Sequence, residues 1–297
     1  MTKIPIDPHT KEEVLIEALP YIQTYEGKTF VIKYGGSAMT DDQLKQTFAK
    51  DVTILRKIGI NMVIVHGGGK GITDVAGRLG IETKFVNGQR YTDKDMMNVV
   101  MMVLAGSINK EIANQINING GNAVGLCGVD NSLLRARRQS LNGNDLGRVG
   151  EVVSVNVPFI QLLLQNGMMP VIAPVGVGEQ GELLNINADL GAAAVAMALK
   201  AEKLVYLSDV EGILMDGHRI STLTKRGADR MIAEGSIFGG MIPKIQSAFT
   251  TLEAGVRKVH IVDGRVKHSL LLEIFTDEGI GTQMIHEEDA LVRESIK

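Results

Sequence analysis

Lys33 lies in the run VIKY, which Gly35-Gly36 follow. Gly67-Gly68-Gly69 follow VIVH, and Gly176 and Gly178 follow VIAPV. Adjacent glycines let backbone N–H groups approach an anion closely, and a helix starting behind them adds its positive end. The chemistry such turns serve is binding of phosphate or carboxylate; the plainer reading of each is a tight turn. Lys33 stands where its ammonium could reach over an anion held by the Gly35-Gly36 turn, or it is a solvated lysine at a strand end. Lys244, in GGMIPK, is a second lysine just inside a glycine-led helix. Two such cations suit a phosphoryl group in transfer. Asp189, in LNINAD, either caps the helix that follows it or lies between the two lysines as a carboxylate that orients both.

The familiar nucleotide fingerprints are missing. Lys70 is followed by Gly71 rather than Ser or Thr, and Ile64 stands where a Walker loop needs its first glycine. Ile72 occupies the last glycine position of the dinucleotide fingerprint. His66 reads as a structural residue at a strand end rather than a proton acceptor.

The elements that must carry these residues alternate. TFVIKY is a strand, Asp41 to Ile58 a helix ended by Gly59, and NMVIV the next strand. That order requires a right-handed crossover, so the two strands are expected to be parallel neighbours. Ligands in such sheets bind at the carboxyl ends of strands. A long helix from Asp93 to Asn117, a strand from 122 to 126, a helix from 158 to 165 and a strand from 169 to 173 continue the pattern. Ser132–Arg138 and Arg148–Val155 flank the turn LNGND as a hairpin, which predicts a mixed sheet. LGAAAVAMALK, KLVYL, a helix from Gly239 to Ala254 and KVHIV form a second α/β block, and one sheet continuous through both blocks is consistent with the absence of a linker. Ahead of everything, Thr10 and Glu13 form a capping box for an amphipathic helix to residue 25, which Pro20 is expected to kink or shorten.

Composition restricts the class. Hydrophobic residues at 44% and charged residues at 22% are those of a packed globular protein, and a net charge of -3 without a long like-charge run gives no reason to expect nucleic acid as a partner. Cys127 is the only cysteine, so no internal disulfide can form. Neither a secretory signal nor a run of about 18 apolar residues is present, and a cytoplasmic protein is expected.

KYGGSAM, HGGGKGI, NGQRYTD, LNINAD, LSDVEGI and GGMIPK, in this order, resemble the N-acetylglutamate kinases of the amino-acid kinase family. The resemblance covers nearly the whole chain. It implies a three-layer αβα sandwich with a central, mostly parallel sheet shared by two lobes, the fold also seen in carbamate kinase. The implied organisation is an oligomerisation helix over 1–25, an N-acetylglutamate-binding lobe over 26–197 and an ATP-binding lobe over 198–297. The implied reaction is phosphorylation of N-acetyl-L-glutamate by ATP with Mg2+, a step towards arginine. On this pattern Lys33, Lys244 and Asp189 are catalytic, and Gly35, Gly36 and Gly68 bind phosphate. Gly68, Gly69, Arg90 and Asn185 hold the acylated amino acid, and Ser208, Asp209, Val210, Glu211 and Gly212 belong to the nucleotide site. No metal ligand from the protein is expected, because ATP phosphates carry the magnesium. Gln89 and Tyr91 depart from the apolar residues of many relatives. Aspartate, glutamate, carbamate and uridylate kinases remain alternatives within the fold, and a non-catalytic arginine or nucleotide sensor is the alternative outside it.

The amino-terminal helix is similar to the extension that joins dimers into a hexamer in arginine-inhibited members. HSLLLEIFTDEGIGT resembles their effector region, making His268, Glu278 and Gly281 candidates for binding L-arginine. A nitrogen-signalling protein is a further possible partner of the ring.

Overall fold

The computed structural model describes residues 7–86, 88–141, 144–215, 217–276 and 279–290. Helix α1 (Pro8–Tyr25) leads into β1 (Thr29–Tyr34), α2 (Asp42–Lys57), β2 (Asn61–His66) and α3 (Gly69–Arg78). A small hairpin, β3 (Phe85–Val86) and β4 (Gln89–Arg90), precedes α4 (Lys94–Val100) and α5 (Asn109–Ile118), with β5 (Ala123–Cys127) behind them. Then come β6 (Leu134–Leu141), β7 (Asn144–Val155), α6 (Val157–Gln165), β8 (Met169–Ala173), β9 (Val175–Val177), β10 (Leu183–Ile186) and α7 (Ala188–Leu199). The chain continues through β11 (Lys203–Ser208), β12 (Ile213–Met215), β13 (His218–Ile220), β14 (Thr222–Leu223), α8 (Lys225–Ala233) and α9 (Met241–Glu253). It closes with β15 (Lys258–Asp263), α10 (Ser269–Ile274) and β16 (Thr282–Met284).

One 8-stranded sheet runs β14-β16-β15-β11-β1-β2-β8-β5. β1 and β2 are parallel neighbours, as the crossover argument requires, and β1 pairs in parallel with β11 on its other side. The expected continuous sheet is therefore present, with β1 and β11 at its centre. Only the β15–β16 pairing in it is antiparallel. Central strands are apolar on both faces because both faces are covered. Val31, Val63 and Leu204 pack with α7 and α9 residues such as Ala192, Val195, Ala248 and Leu252. Phe30, Ile32, Met62 and Ile64 pack with Phe48, Val52, Ile112 and Ile116 of α2 and α5 on the other face. Each such buried side chain contributes about 1.5–3 kcal/mol, and together the two clusters make the three layers.

The structure corrects four expectations. The hairpin β6–β7 does not join the main sheet but closes a four-stranded barrel with β9 and β10 around Ala136, Leu184 and Ile186. Gly176 belongs to that barrel: a Cβ there would stand 2.8 Å from Cβ of Ala136, so this third glycine serves packing rather than an anion. Helix α1 starts at Pro8 with Asp7 as its cap, Oδ2 accepting the Thr10 N–H at 3.1 Å, and runs through Pro20 to Tyr25. Pro at the first turn favours the earlier start. The surroundings of Pro20 are exposed, so water can satisfy the carbonyl that proline leaves without a donor. Finally, the helix from Asp93 is interrupted: residues Met101–Ile108 form a π segment between α4 and α5. Among the described residues no helix is long and apolar enough to cross a membrane.

Candidate active site

Lys33, Asp189 and Lys244 come from three distant parts of the chain and meet at the carboxyl ends of the strands. Lys33 Nζ lies 3.0 Å from Asp189 Oδ1 and Lys244 Nζ lies 3.3 Å from Asp189 Oδ2. Asp189 is not the cap of α7. Asn187 has that role, its Oδ1 accepting the N–H groups of Asp189 and Leu190 at 2.9 and 3.3 Å, which leaves the Asp189 carboxylate to the lysines. Burial pushes the Asp189 carboxyl up, but the two ammonium groups beside it outweigh this and hold it below its ordinary value. Lys244 also faces the ring of Tyr206, 5.7 Å from its centroid. Tyr206 is the β11 partner of Lys33 in the sheet register, so one strand pair sets the floor under both lysines.

The glycine turns surround this triad. Lys33 folds back over Gly35, where an added Cβ would meet Nζ at 2.5 Å. Gly36 has φ +70, and a Cβ there would run into the carboxylate of Asp209. Asp209 Oδ1 accepts the Ser37 N–H at 2.7 Å, so the segment 208–212 after β11 is tied directly to the turn after β1. Gly212, with φ +131, packs against Thr282 with no room for a side chain.

A cavity of about 200 Å³ opens beside the start of α7 and is lined by Gly67, Gly68, Gly69, Arg90 and Asn185, together with Phe85, Gln89, Val149 and Pro174. Arg90 is a buried cation rather than a surface one. Its Nη2 donates to the Gly69 carbonyl and to Thr73 Oγ1, both at 2.9 Å, and its guanidinium lies 4.9 Å from the Phe85 ring centroid. Among the described residues it has no carboxylate partner. A buried guanidinium without an anion is a seat for one. Asn185 donates to Thr92 Oγ1 at 3.1 Å, which leaves its carbonyl oxygen to accept. Gln89, singled out in the sequence only as a departure, lines the same cavity with its Oε1 buried and without a protein partner. Gln89 and Phe85 lie in two-residue strands, which give no periodicity, and the alternation of β7 shows that Val149 is in a strand but not which cavity it faces.

A larger cavity of about 330 Å³ lies on the other face of the glycine turns, between α2, α3 and α5. Gly36, Gly68 and Gly69 border it, but Arg90 and Asn185 do not, so size does not mark the anion-seeking groups here.

The effector candidates separate. His268 Nδ1 lies 2.7 Å from Oδ1 of Asp51, on α2, away from the cavity near the carboxyl end. Glu278 lies outside the described residues. Gly281 donates its N–H to Glu273 Oε2 at 2.8 Å, and Glu273 also pairs with His260 Nδ1 at 2.6 Å. Glu273 and His260 line a cavity of about 110 Å³ that Tyr21 and Tyr25 of α1 close from one side.

The model of the Amino acid kinase family matches residues 28–263. The acetylglutamate kinase of Chlorobaculum tepidum is 54% identical over 274 residues, covering 92% of this chain and 96% of that one. The chain belongs to the amino acid kinase family, among its acetylglutamate kinases. The acetylglutamate kinase of Chlorobium limicola is 56% identical over 277 residues, 93% of this chain and 91% of its own. Among solved structures, the N-acetylglutamate synthase of Neisseria gonorrhoeae in complex with coenzyme A and N-acetyl-glutamate superposes with a TM-score of 0.82 at 29% identity. The match covers 93% of this chain and 63% of the synthase. The same synthase in complex with coenzyme A and L-arginine gives a TM-score of 0.79 at 27% identity, over 92% and 65% of the two chains.

Proposed function

We propose that this member of the family transfers the γ-phosphoryl group of ATP to the side-chain carboxylate of N-acetyl-L-glutamate. The products are N-acetyl-L-glutamyl 5-phosphate and ADP, at an early step of arginine formation. The observation that carries the reading is the Lys33–Asp189–Lys244 array beside an anion-seeking cavity. A substrate carboxylate oxygen forms the new bond to γ-phosphorus while the bond to the β,γ-bridging oxygen breaks, and ADP leaves with that electron pair. The attacking carboxylate has a reference pKa of about 4.3 and arrives ionised, so no general base is needed. What the site must supply is in-line placement of two anions and positive charge for the equatorial oxygens. Lys33 and Lys244 supply the charge, Gly36 and Gly68 the backbone donors. Asp189 keeps both ammonium groups aimed. Arg90 takes the α-carboxylate and Asn185 orients the acylated amino acid. The 208–212 segment, held to Gly36 through Asp209, belongs to the nucleotide.

Mg2+ would travel with the nucleotide. Both Asp189 oxygens are engaged by lysines, so the donor set fits an ion carried by phosphate oxygens rather than by a protein cage. Bound there, it would neutralise phosphate charge.

Feedback inhibition by L-arginine is part of the proposal. It is supported by the arginine complex of the related synthase and by the cavity that α1 closes over Glu273. Val14, Leu15, Ile16 and Leu19 are exposed on α1, an apolar stripe suited to a second copy of the helix in a hexamer. The division into a helix, an acceptor lobe and a nucleotide lobe near residue 198 follows the same reading, as do a cytoplasmic location and a nitrogen-signalling partner. An ATP-consumption assay over glutamate, N-acetylglutamate, aspartate, carbamate and uridylate tests the central claim. Selective turnover of N-acetylglutamate is expected; dominance of another acceptor would overturn the substrate, and nucleotide binding without turnover of any acceptor would favour a sensor.

A further inference from the structure

His66 ends β2 immediately before the glycines and is wholly buried. Its Nδ1 lies 2.8 Å from the Gly67 carbonyl oxygen and its Nε2 lies 3.1 Å from Asn109 Nδ2. A carbonyl only accepts, so Nδ1 carries the proton. The two hydrogens of the Asn109 nitrogen have the carbonyls of Val171 at 2.8 Å and Leu126 at 3.1 Å as acceptors, which fixes that atom as the amide NH2. An NH2 cannot accept from an Nε2–H, so Nε2 carries no proton. The ring is neutral and locked in one tautomer, and burial pulls its pKa down to about 4.

This tautomer has a directional consequence. The Gly67 carbonyl and the Gly68 N–H belong to one trans peptide unit and point in opposite directions. Drawing the carbonyl to His66, on the α5 side of the sheet, sends the Gly68 N–H the opposite way, and Gly68 lines the cavity that holds Arg90 and Asn185. The π segment fixes the same residue from behind: a Cβ on Gly68 would stand 2.6 Å from Leu104 Cδ2 and 2.5 Å from Ile108 Cδ1. Asn109 follows Ile108 directly, so the segment that presses on Gly68 also delivers the amide that sets the histidine. A π segment at such a place accords with the frequent use of this geometry at functional sites.

We infer that His66, oriented by Asn109, is a positioning residue that aims the Gly68 N–H at the oxygen of the transferring phosphoryl group. The inference rests on the proposed role of Gly68 as a backbone donor. A histidine that merely filled the core would leave the donor direction to the turn itself; here the ring's one proton decides it.

Two measurements test this. In the first, His66→Leu removes the ring donor and His66→Asn returns an amide near the position of Nδ1. The leucine variant is expected to lose roughly tenfold to a hundredfold in kcat, less than an oxyanion donor removed outright, with KM for N-acetylglutamate changed less than about threefold. The asparagine variant should recover most of the lost kcat. An unaltered kcat in folded His66→Leu, a loss confined to KM, or an asparagine variant no better than leucine would overturn the inference. In the second, 15N NMR of the imidazole in the unmodified protein is expected to show a protonated Nδ1 and an unprotonated Nε2 from about pH 5 to 8. The opposite tautomer, or an imidazolium in that range, overturns it even if neither variant folds. The NMR result needs no turnover, so it stands apart from the acceptor assay, whose failure would count against the proposed reaction instead.

Discussion

Asp189 bonds one lysine with each oxygen, so removing either lysine has two effects: a positive charge is lost and the remaining ammonium is drawn towards an undercompensated carboxylate. Lys33→Ala and Lys244→Ala are each expected to lower kcat by roughly a hundredfold to a thousandfold, the range for losing one transition-state contact. The measurement is steady-state turnover beside a thermal melt, and near-wild-type kcat in either folded variant would remove that lysine from the mechanism. The lysines could be proposed from sequence because each lies within four residues of paired glycines. The role of Asp189 could not be settled there, since an aspartate at a helix start serves equally well as a cap, and only the placement of Asn187 Oδ1 on the first amides of α7 frees it. Arg90 likewise reads as a surface residue until Gly69 and Thr73 are seen to hold it inside.

Between elements, small residues mark where pieces of the fold meet. Gly128 links β5 to the barrel: a Cβ there would strike the Val175 carbonyl oxygen and stand 2.6 Å from Leu134 Cβ. Gly128→Ala should destabilise the protein by about 1–3 kcal/mol, as overpacking does, which urea unfolding would register as a lower midpoint. An unchanged midpoint would mean that the barrel shifts freely on the sheet. Helix α1 carries the other prediction at this scale. Deleting residues 1–25 should leave turnover, reduce the oligomer seen by light scattering and abolish or strongly weaken inhibition by arginine; retained sensitivity would sink the proposed regulation. The strands and α2 were legible in the sequence because buried parallel strands are short unbroken apolar runs and α2 has clear stops in Asp41 and Gly59. The π segment was not, since Ser107 is the one polar side chain in 101–108 and the run carries no helical stripe to break. Nor did the hairpin pattern reveal that β6 and β7 leave the main sheet, because alternation reports pairing and not which sheet receives it. The contact of His268 with Asp51, 217 positions away in the chain, has no local signature in the sequence.

For the whole molecule, the buried histidines set the response to acid. His66 and His260 are both lowered from 6.5 to about 4 by burial. Between those values the unfolded chain binds protons that the folded one refuses, so each contributes stability that is present above about pH 6.5 and lost as pH falls to about 4. Asp51 opposes them: burial raises it from 3.8 to about 6, so over that interval the folded state binds the extra proton and gains as pH falls. Two groups against one leave a net loss, to which the lowered Asp189 and Glu273 add at still lower pH. Denaturant midpoints should therefore decline from about pH 7 to 4, and a flat profile would contradict the burial of both rings. The seam at the centre of the sheet carries a different implication. β1 and β11, on opposite sides of the proposed lobe boundary, are hydrogen-bonded neighbours from Phe30↔Lys203 to Lys33↔Tyr206. A chain severed between α7 and β11 would not yield two self-sufficient halves. Each fragment would carry a raw strand edge whose natural complement is the other, so the halves made separately should be sticky alone and recover activity when mixed.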